Sequence, residues 1–148
     1  MNQADFEALL ADPTKVIEGD IRWTDDEDHS PAVEFRAEVD SETGHSIFIR
    51  GSYNGLAQTL SYALISRASG RVYALDLGKD HHNPDCEYVG ERHKHRWNEP
   101  MRDKQAYVPP DILAAVNNPL EVWQQFCTEA NIVHHGVMHP PPRPVRFP

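Results

Sequence analysis

The stretch Ala32-Val33-Glu34-Phe35-Arg36-Ala37-Glu38-Val39-Asp40 decides the fold. Val33, Phe35, Ala37 and Val39 alternate with Glu34, Arg36, Glu38 and Asp40, a strict period of two. Such a strand buries one face and wets the other, the pattern of an antiparallel sheet. Reading forward, Glu42-Thr43-Gly44 predicts a turn into a strand over His45 to Arg50. There Ile47 and Ile49 point one way and Phe48 the other. Tyr53-Asn54-Gly55 predicts a second turn, with residues suited to positive φ. Thr59 to Arg67 and Arg71 to Leu77 are predicted strands joined by Ala68-Ser69-Gly70. Both carry apolar residues on both faces, which places them near the centre of the sheet.

Reading backward, Thr24 to Pro31 is a charged loop. It lacks the glycine and the regularly spaced oxygen ligands of a calcium loop. Lys15 to Trp23 is a strand interrupted at Glu18-Gly19-Asp20. Phe6, Leu9 and Leu10 share one face of a short helix over Asp5 to Leu10, ended by Asp12-Pro13.

Toward the other end, Asp111 suits an N-cap for a short helix with Ile112, Leu113 and Val116. Asn117-Asn118-Pro119 then opens a second helix. Its stripe is Leu120, Trp123, Phe126, Cys127 and Ala130. The expected architecture is one α+β domain over residues 1–138, followed by a proline-rich tail over 139–148. The domain is an antiparallel β-meander of five to six strands, with a short N-terminal helix and two C-terminal helices packed on one face.

A chain of 148 residues is one domain by its length. Its net charge of -9 is unevenly spread: residues 1–42 hold thirteen acids and three bases. An acidic half repels nucleic acid and membrane broadly, so a wide duplex-binding face is disfavoured. It suits either a solvated surface or docking on a basic protein partner. Two cysteines, Cys86 and Cys127, make no disulfide framework. The first residues lack a basic start and an apolar core, and no apolar run reaches the roughly 20 residues that span a bilayer. The expectation is a cytoplasmic protein with reduced thiols and no membrane association.

Chemistry concentrates between Asp80 and Trp97, which holds four of the nine histidines. His81-His82-Asn83-Pro84 is followed by Glu91-Arg92-His93-Lys94-His95-Arg96-Trp97. Two functional classes suit these residue types. Metal-independent cleavage of a phosphodiester, above all RNA, needs a base, an acid and a cation on the phosphate. His81, His82, His93 and His95 supply imidazoles that serve either proton role near neutral pH. Arg92, Lys94 and Arg96 supply the cations, and Trp97 or Tyr107 a surface for stacking a base. The second class is a zinc site drawn from His81, His82, Asp85, Cys86, His93 and His95. A lone cysteine, the absence of Cys-x-x-Cys, and the neighbouring Lys94 and Arg96 weigh against it. The same residues also suit a structural loop anchored by Trp97. Asp76, at the end of the last predicted strand, is placed to orient a histidine or to pair with Arg92 or Arg96.

His81-His82-Asn83-Pro84, the His93 to Trp97 motif and the segment from Phe126 to Ile132 resemble those of small uncharacterised domains of bacteria and their mobile elements. Such families have no assigned activity, so the resemblance implies a bacterial or phage-related setting and no mechanism. Taken together, the sequence predicts an RNA- or nucleotide-directed, toxin-like histidine site. A non-enzymatic protein that docks a basic partner, and a zinc-binding domain, are the alternatives.

Overall fold

The computed structural model describes residues 1–78, 92–97, 106–107 and 117–142. Helix α1 (Gln3–Ala11) is opened by a reciprocal cap in which Asn2 Oδ1 accepts from Asp5 N at 2.8 Å, and the Asp5 carboxylate accepts from Asn2 N at 3.1 Å. Strands β1 (Lys15–Glu18) and β2 (Thr24–Asp25) follow, then a 3-10 turn over Glu27–His29. Strands β3 (Val33–Val39), β4 (Ile47–Asn54), β5 (Thr59–Ser66) and β6 (Gly70–Leu77) come next, then β7 (Arg92–Arg96) and β8 (Ala106–Tyr107). Helix α2 (Pro119–Glu129) and strand β9 (Ile132–His135) close the order.

Strands β2 to β8 form one antiparallel sheet in sequence order, so β5 lies at its centre. The alternation read in β3 is the alternation found: Val33, Phe35, Ala37 and Val39 are buried. The turn after β4 differs in detail. Asn54 Oδ1 accepts from Leu56 N and Ala57 N, both at 3.0 Å, and positive φ falls on Gln58 instead of Gly55. An Asn side chain that mimics a backbone turn displaces the conformational demand by several residues.

The expected arrangement of one meander with two C-terminal helices is corrected in two ways. The large sheet has seven strands, two of them only two residues long, and a second sheet pairs β1 with β9 in parallel. Among the described residues there is one C-terminal α-helix; the helix expected at Ile112 to Val116 lies outside them. The missed feature is the segment after α2. Asn131 takes a left-handed conformation (φ 56°), which turns the chain back from the helix into β9. Its partner β1 is far away in sequence, and a four-residue strand ending in two histidines carries no period to betray it.

The core lies between one face of the large sheet and α2. Tyr62, Phe35, Trp23, Trp123 and Phe126 interlock, with Trp23–Phe35 edge-on at 4.9 Å and Tyr62–Trp123 at 5.1 Å. Gly51 makes room for this packing: a Cβ there would run into the Phe35 ring. Tyr62 Oη donates to Pro119 O at 2.7 Å, tying the first turn of α2 to the central strand.

Two polar groups are buried at the α1–β1 corner. Lys15 Nζ donates to Leu9 O at 2.6 Å and Leu10 O at 2.8 Å, capping the last turn of α1. Burial pushes its amine down to about 8, against a smaller opposing pull from Asp12. Burial would raise the Asp12 carboxyl, but hydrogen bonds from Ser41, Thr14 and Thr43 overcome it and hold the group well below the usual carboxylate range.

Candidate functional site

Strand alternation brings three polar side chains together on the sheet face opposite α2. Register sets Ser61 of β5 against Asp76 of β6, and Asp76 against His93 of β7. Ala74 lies against His95, one pair along. Ser61 Oγ donates to Asp76 Oδ1 at 2.5 Å, and His95 Nε2 lies 3.2 Å from Asp76 Oδ2. A carboxylate only accepts, so Nε2 carries the proton in this contact and Nδ1 is the basic ring nitrogen of the neutral form. Asp76 is 7% exposed and His95 3%. The result is a Ser61–Asp76–His95 chain held on three adjacent strands, with Asp76 and His95 buried and Ser61 half-buried.

This is an unusual place for a carboxylate. Along β6, Val72 and Ala74 are fully buried, and the run would be satisfied by another apolar residue at position 76. Burying a charge costs several kcal/mol unless it is paired and hydrogen-bonded, and here both carboxylate oxygens are engaged. Chemically, the arrangement fixes an imidazole's ring orientation and tautomer.

The remaining residues singled out from sequence fall as follows. His81 and His82 lie outside the described residues, as do Asp85 and Cys86. Arg92, His93 and Lys94 occupy β7, at register positions opposite Leu77, Asp76 and Leu75. Lys94 is also paired with Tyr107 of β8. Arg96 is exposed and its guanidinium lies 5.7 Å from the Phe6 ring centroid, away from His95. Trp97 is 1% exposed, 6.0 Å from the Phe6 ring, with its amide donating to Val72 O at 2.8 Å. It is a core side chain in this structure, where stacking on a ligand base would need an open face.

Among the described residues no three His, Cys, Asp or Glu side chains gather as a metal site. Four of the other histidines have local partners. His29 lies 3.0 Å from Asp26, His135 3.1 Å from Glu18, and His139 3.0 Å from Asp20. His134 accepts from Trp123 Nε1 at 3.1 Å and contacts Gly19 O at 2.8 Å through Nε2. On the acidic side, Glu38 accepts from Arg67 and lies 3.4 Å from Arg36, so its charge is largely answered within the fold. Ser61 is the residue that sequence reading passes over. It is one of several small polar residues on a strand, and only its register with Asp76 gives it a partner.

No helix is long and apolar enough to cross a membrane among the described residues. The chain matches no curated protein and no solved structure. A family model matches residues 1–132, a span that contains Ser61, Asp76, His93 and His95 and stops at the first residue of β9. The chain therefore belongs to that family, DUF6978, a family of unknown function.

Proposed function

We propose that this domain acts on RNA or a nucleotide by histidine acid–base chemistry, as a toxin-like phosphodiester-cleaving protein of bacterial or mobile-element origin. The observation that supports this reading is the Ser61–Asp76–His95 chain with its buried Asp76–His95 pair. A buried ion pair is a weak source of stability compared with apolar packing of the same volume. Orienting an imidazole is a better use for it, and its strands β6 and β7 flank in sequence the segment that is richest in histidine. In this reading Asp76 and Ser61 are positioning residues. His93 and His95, with His81 and His82 from the preceding segment, share the proton transfers. Because His95 is 3% exposed, its use on a substrate requires the substrate to reach the edge of the buried chain.

The test is cleavage of a fluorescent oligoribonucleotide by tag-free protein in the presence of a chelator. Wild type should cleave, and His93→Ala or His95→Gln should each slow the reaction about 10²–10⁴-fold while circular dichroism stays native. Asp76→Asn should shift the pH profile of the rate as well as its height. No cleavage of RNA or of nucleotides by wild type, or equal rates in the folded histidine variants, would sink the proposal.

A further inference from the structure

Strand register lines up one row of residues across the sheet face opposite α2. Arg36 of β3 pairs with Arg50 of β4, and Arg50 with Ala63 of β5. Ala63 then pairs with Ala74 of β6, and Ala74 with His95 of β7. Alternation puts all five on the face that carries Asp76. Burial rises along the row. Arg36 and Arg50 are exposed, Ala63 is half-buried, and Ala74 and His95 are buried. The row therefore runs from solvent at β4 to the Asp76–His95 pair, and two alanines keep the sheet surface low in between.

The arginine end of the row is unbalanced. Like charges directly opposite on neighbouring strands repel, and Arg36 and Arg50 are such a pair. The Arg36 guanidinium sits over Phe48, its Cζ 3.8 Å from the ring centroid, with Nε 3.4 Å from Glu38. Glu38 also accepts from Arg67 Nη2 at 2.6 Å, so two guanidiniums share one carboxylate. Arg50 has less. Glu34 and Glu38 are its diagonal neighbours on β3, yet among the described residues it makes no ion pair, hydrogen bond or ring contact. The fold neither pairs nor packs this cation, and it sets it against a second one that an aromatic ring holds in place.

We propose that Arg50, with Arg36 beside it, holds a backbone phosphate of a single RNA strand, an assignment that rests on the cleavage reading above. A guanidinium suits a phosphodiester because it donates two parallel hydrogen bonds and stays charged at any working pH. The phosphate it holds is not the one that is cleaved. Arg50 and His95 are three strand spacings apart in the row, about 14 Å at Cα for strands about 4.8 Å apart. The bound phosphate therefore belongs to a neighbouring nucleotide, and the strand crosses Ala63 toward Ala74 and His95. Arg50 and Arg36 are positioning residues. Two guanidiniums on a chain of net charge -9 suit one strand and not the wide phosphate lattice of a duplex.

Binding and cleavage are measured separately on the full chain. A fluorescent 2′-O-methyl oligonucleotide, which lacks the hydroxyl that cleavage needs, is titrated by anisotropy. Arg50→Ala should weaken binding about tenfold and lower the slope of log affinity on log salt by about 0.7, one phosphate contact in a single strand. Arg50→Lys keeps the charge and should restore the slope. The melting temperature should not fall in Arg50→Ala, since that side chain has no partner in the fold. In cleavage, Arg50→Ala should raise KM for an oligoribonucleotide and leave kcat unchanged. A dinucleoside monophosphate, whose single phosphate is the one cleaved, should be cut equally by both proteins. No strand binding by wild type, an unchanged salt slope in Arg50→Ala, or an equal KM rise for the dinucleotide would each overturn the proposal. So would displacement of the strand by inorganic phosphate at matched phosphate concentration, which assigns the pair to a free anion. Binding that depends on Arg50 without any cleavage would support this site and sink the catalytic reading. Cleavage with no dependence on Arg50 would do the reverse.

Discussion

The two faces of the central strands are covered by opposite means, one completely and the other in part. On one face Tyr62, Leu64, Tyr73 and Leu75 are fully buried in an aromatic and aliphatic layer under α2. On the other, the neighbouring positions hold half-buried Ser61 with buried Ala74, Asp76 and His95, and burial of the last two depends on each polar atom finding its match. Apolar burial degrades gradually as methylenes are lost. Polar burial fails at once when a partner is removed, and it can be replaced wholesale with little penalty.

The largest effect should come from the first face. Phe126→Ala removes a fully buried ring from the aromatic layer and should cost about 3–5 kcal/mol in urea unfolding. No single second substitution should recover that loss. A near-complete rescue by one neighbour would mean that the layer is more plastic than its packing implies.

Lys15 gives the next effect, and its sign is fixed by burial. The folded amine is depressed from the ordinary 10.5 to about 8. Between those values the unfolded chain binds more protons than the folded one, so stability should rise as pH increases from 8 to 10.5. The rise is on the order of 3 kcal/mol, is complete above the window, and is absent below it. Thermal melts across that range check it, with Lys15→Met as the control that should flatten the curve. A curve that falls through the same window would show that the amine is not desolvated.

On the polar face, Asp76→Ala should cost about 1–3 kcal/mol because it leaves His95 and Ser61 without their acceptor. Replacing both members, Asp76→Leu with His95→Leu, should restore most of that stability while abolishing any activity that depends on the chain. If the double variant is as unstable as the single one, the two faces do not differ in the way described. The smallest effect lies far from either face. Asn2→Ala should cost about 1 kcal/mol through the lost α1 cap and leave the other three measurements unchanged.

The same contrast explains what could be read from the sequence. The apolar face announces itself through alternation, so β3, β5, β6 and the stripe of α2 are all visible in the one-dimensional pattern. Asp76 is visible as a charge at a strand end, but its partners are not. Ser61 is fifteen residues away and His95 nineteen, and only strand register joins them. Trp97 is legible as an anchor and equally as a stacking platform; its burial against Phe6 supports the anchor. The parallel β1–β9 pair is hidden for another reason. Neither strand exceeds four residues, and nothing local in either one encodes the other.

The β1–β9 pairing also sets a schedule. Strand β1 is made early, yet its hydrogen-bonding partner is more than a hundred residues behind it on the ribosome. The corner it forms with α1 is completed late too, since Asn131 Nδ2 donates to Leu10 O at 2.9 Å. The antiparallel sheet from β3 to β6 can assemble from neighbouring hairpins as it emerges, because its contacts are close in sequence. The first helix and strand have one early tie, at the end of β3, where Val16 and Asp40 exchange two backbone hydrogen bonds and Asp12 accepts from Ser41 and Thr43; the rest of β1 waits for β9. A nascent chain halted before residue 132 should therefore hold a folded sheet and an amino-terminal arm fastened only at the Val16–Asp40 corner, which a protease would remove first.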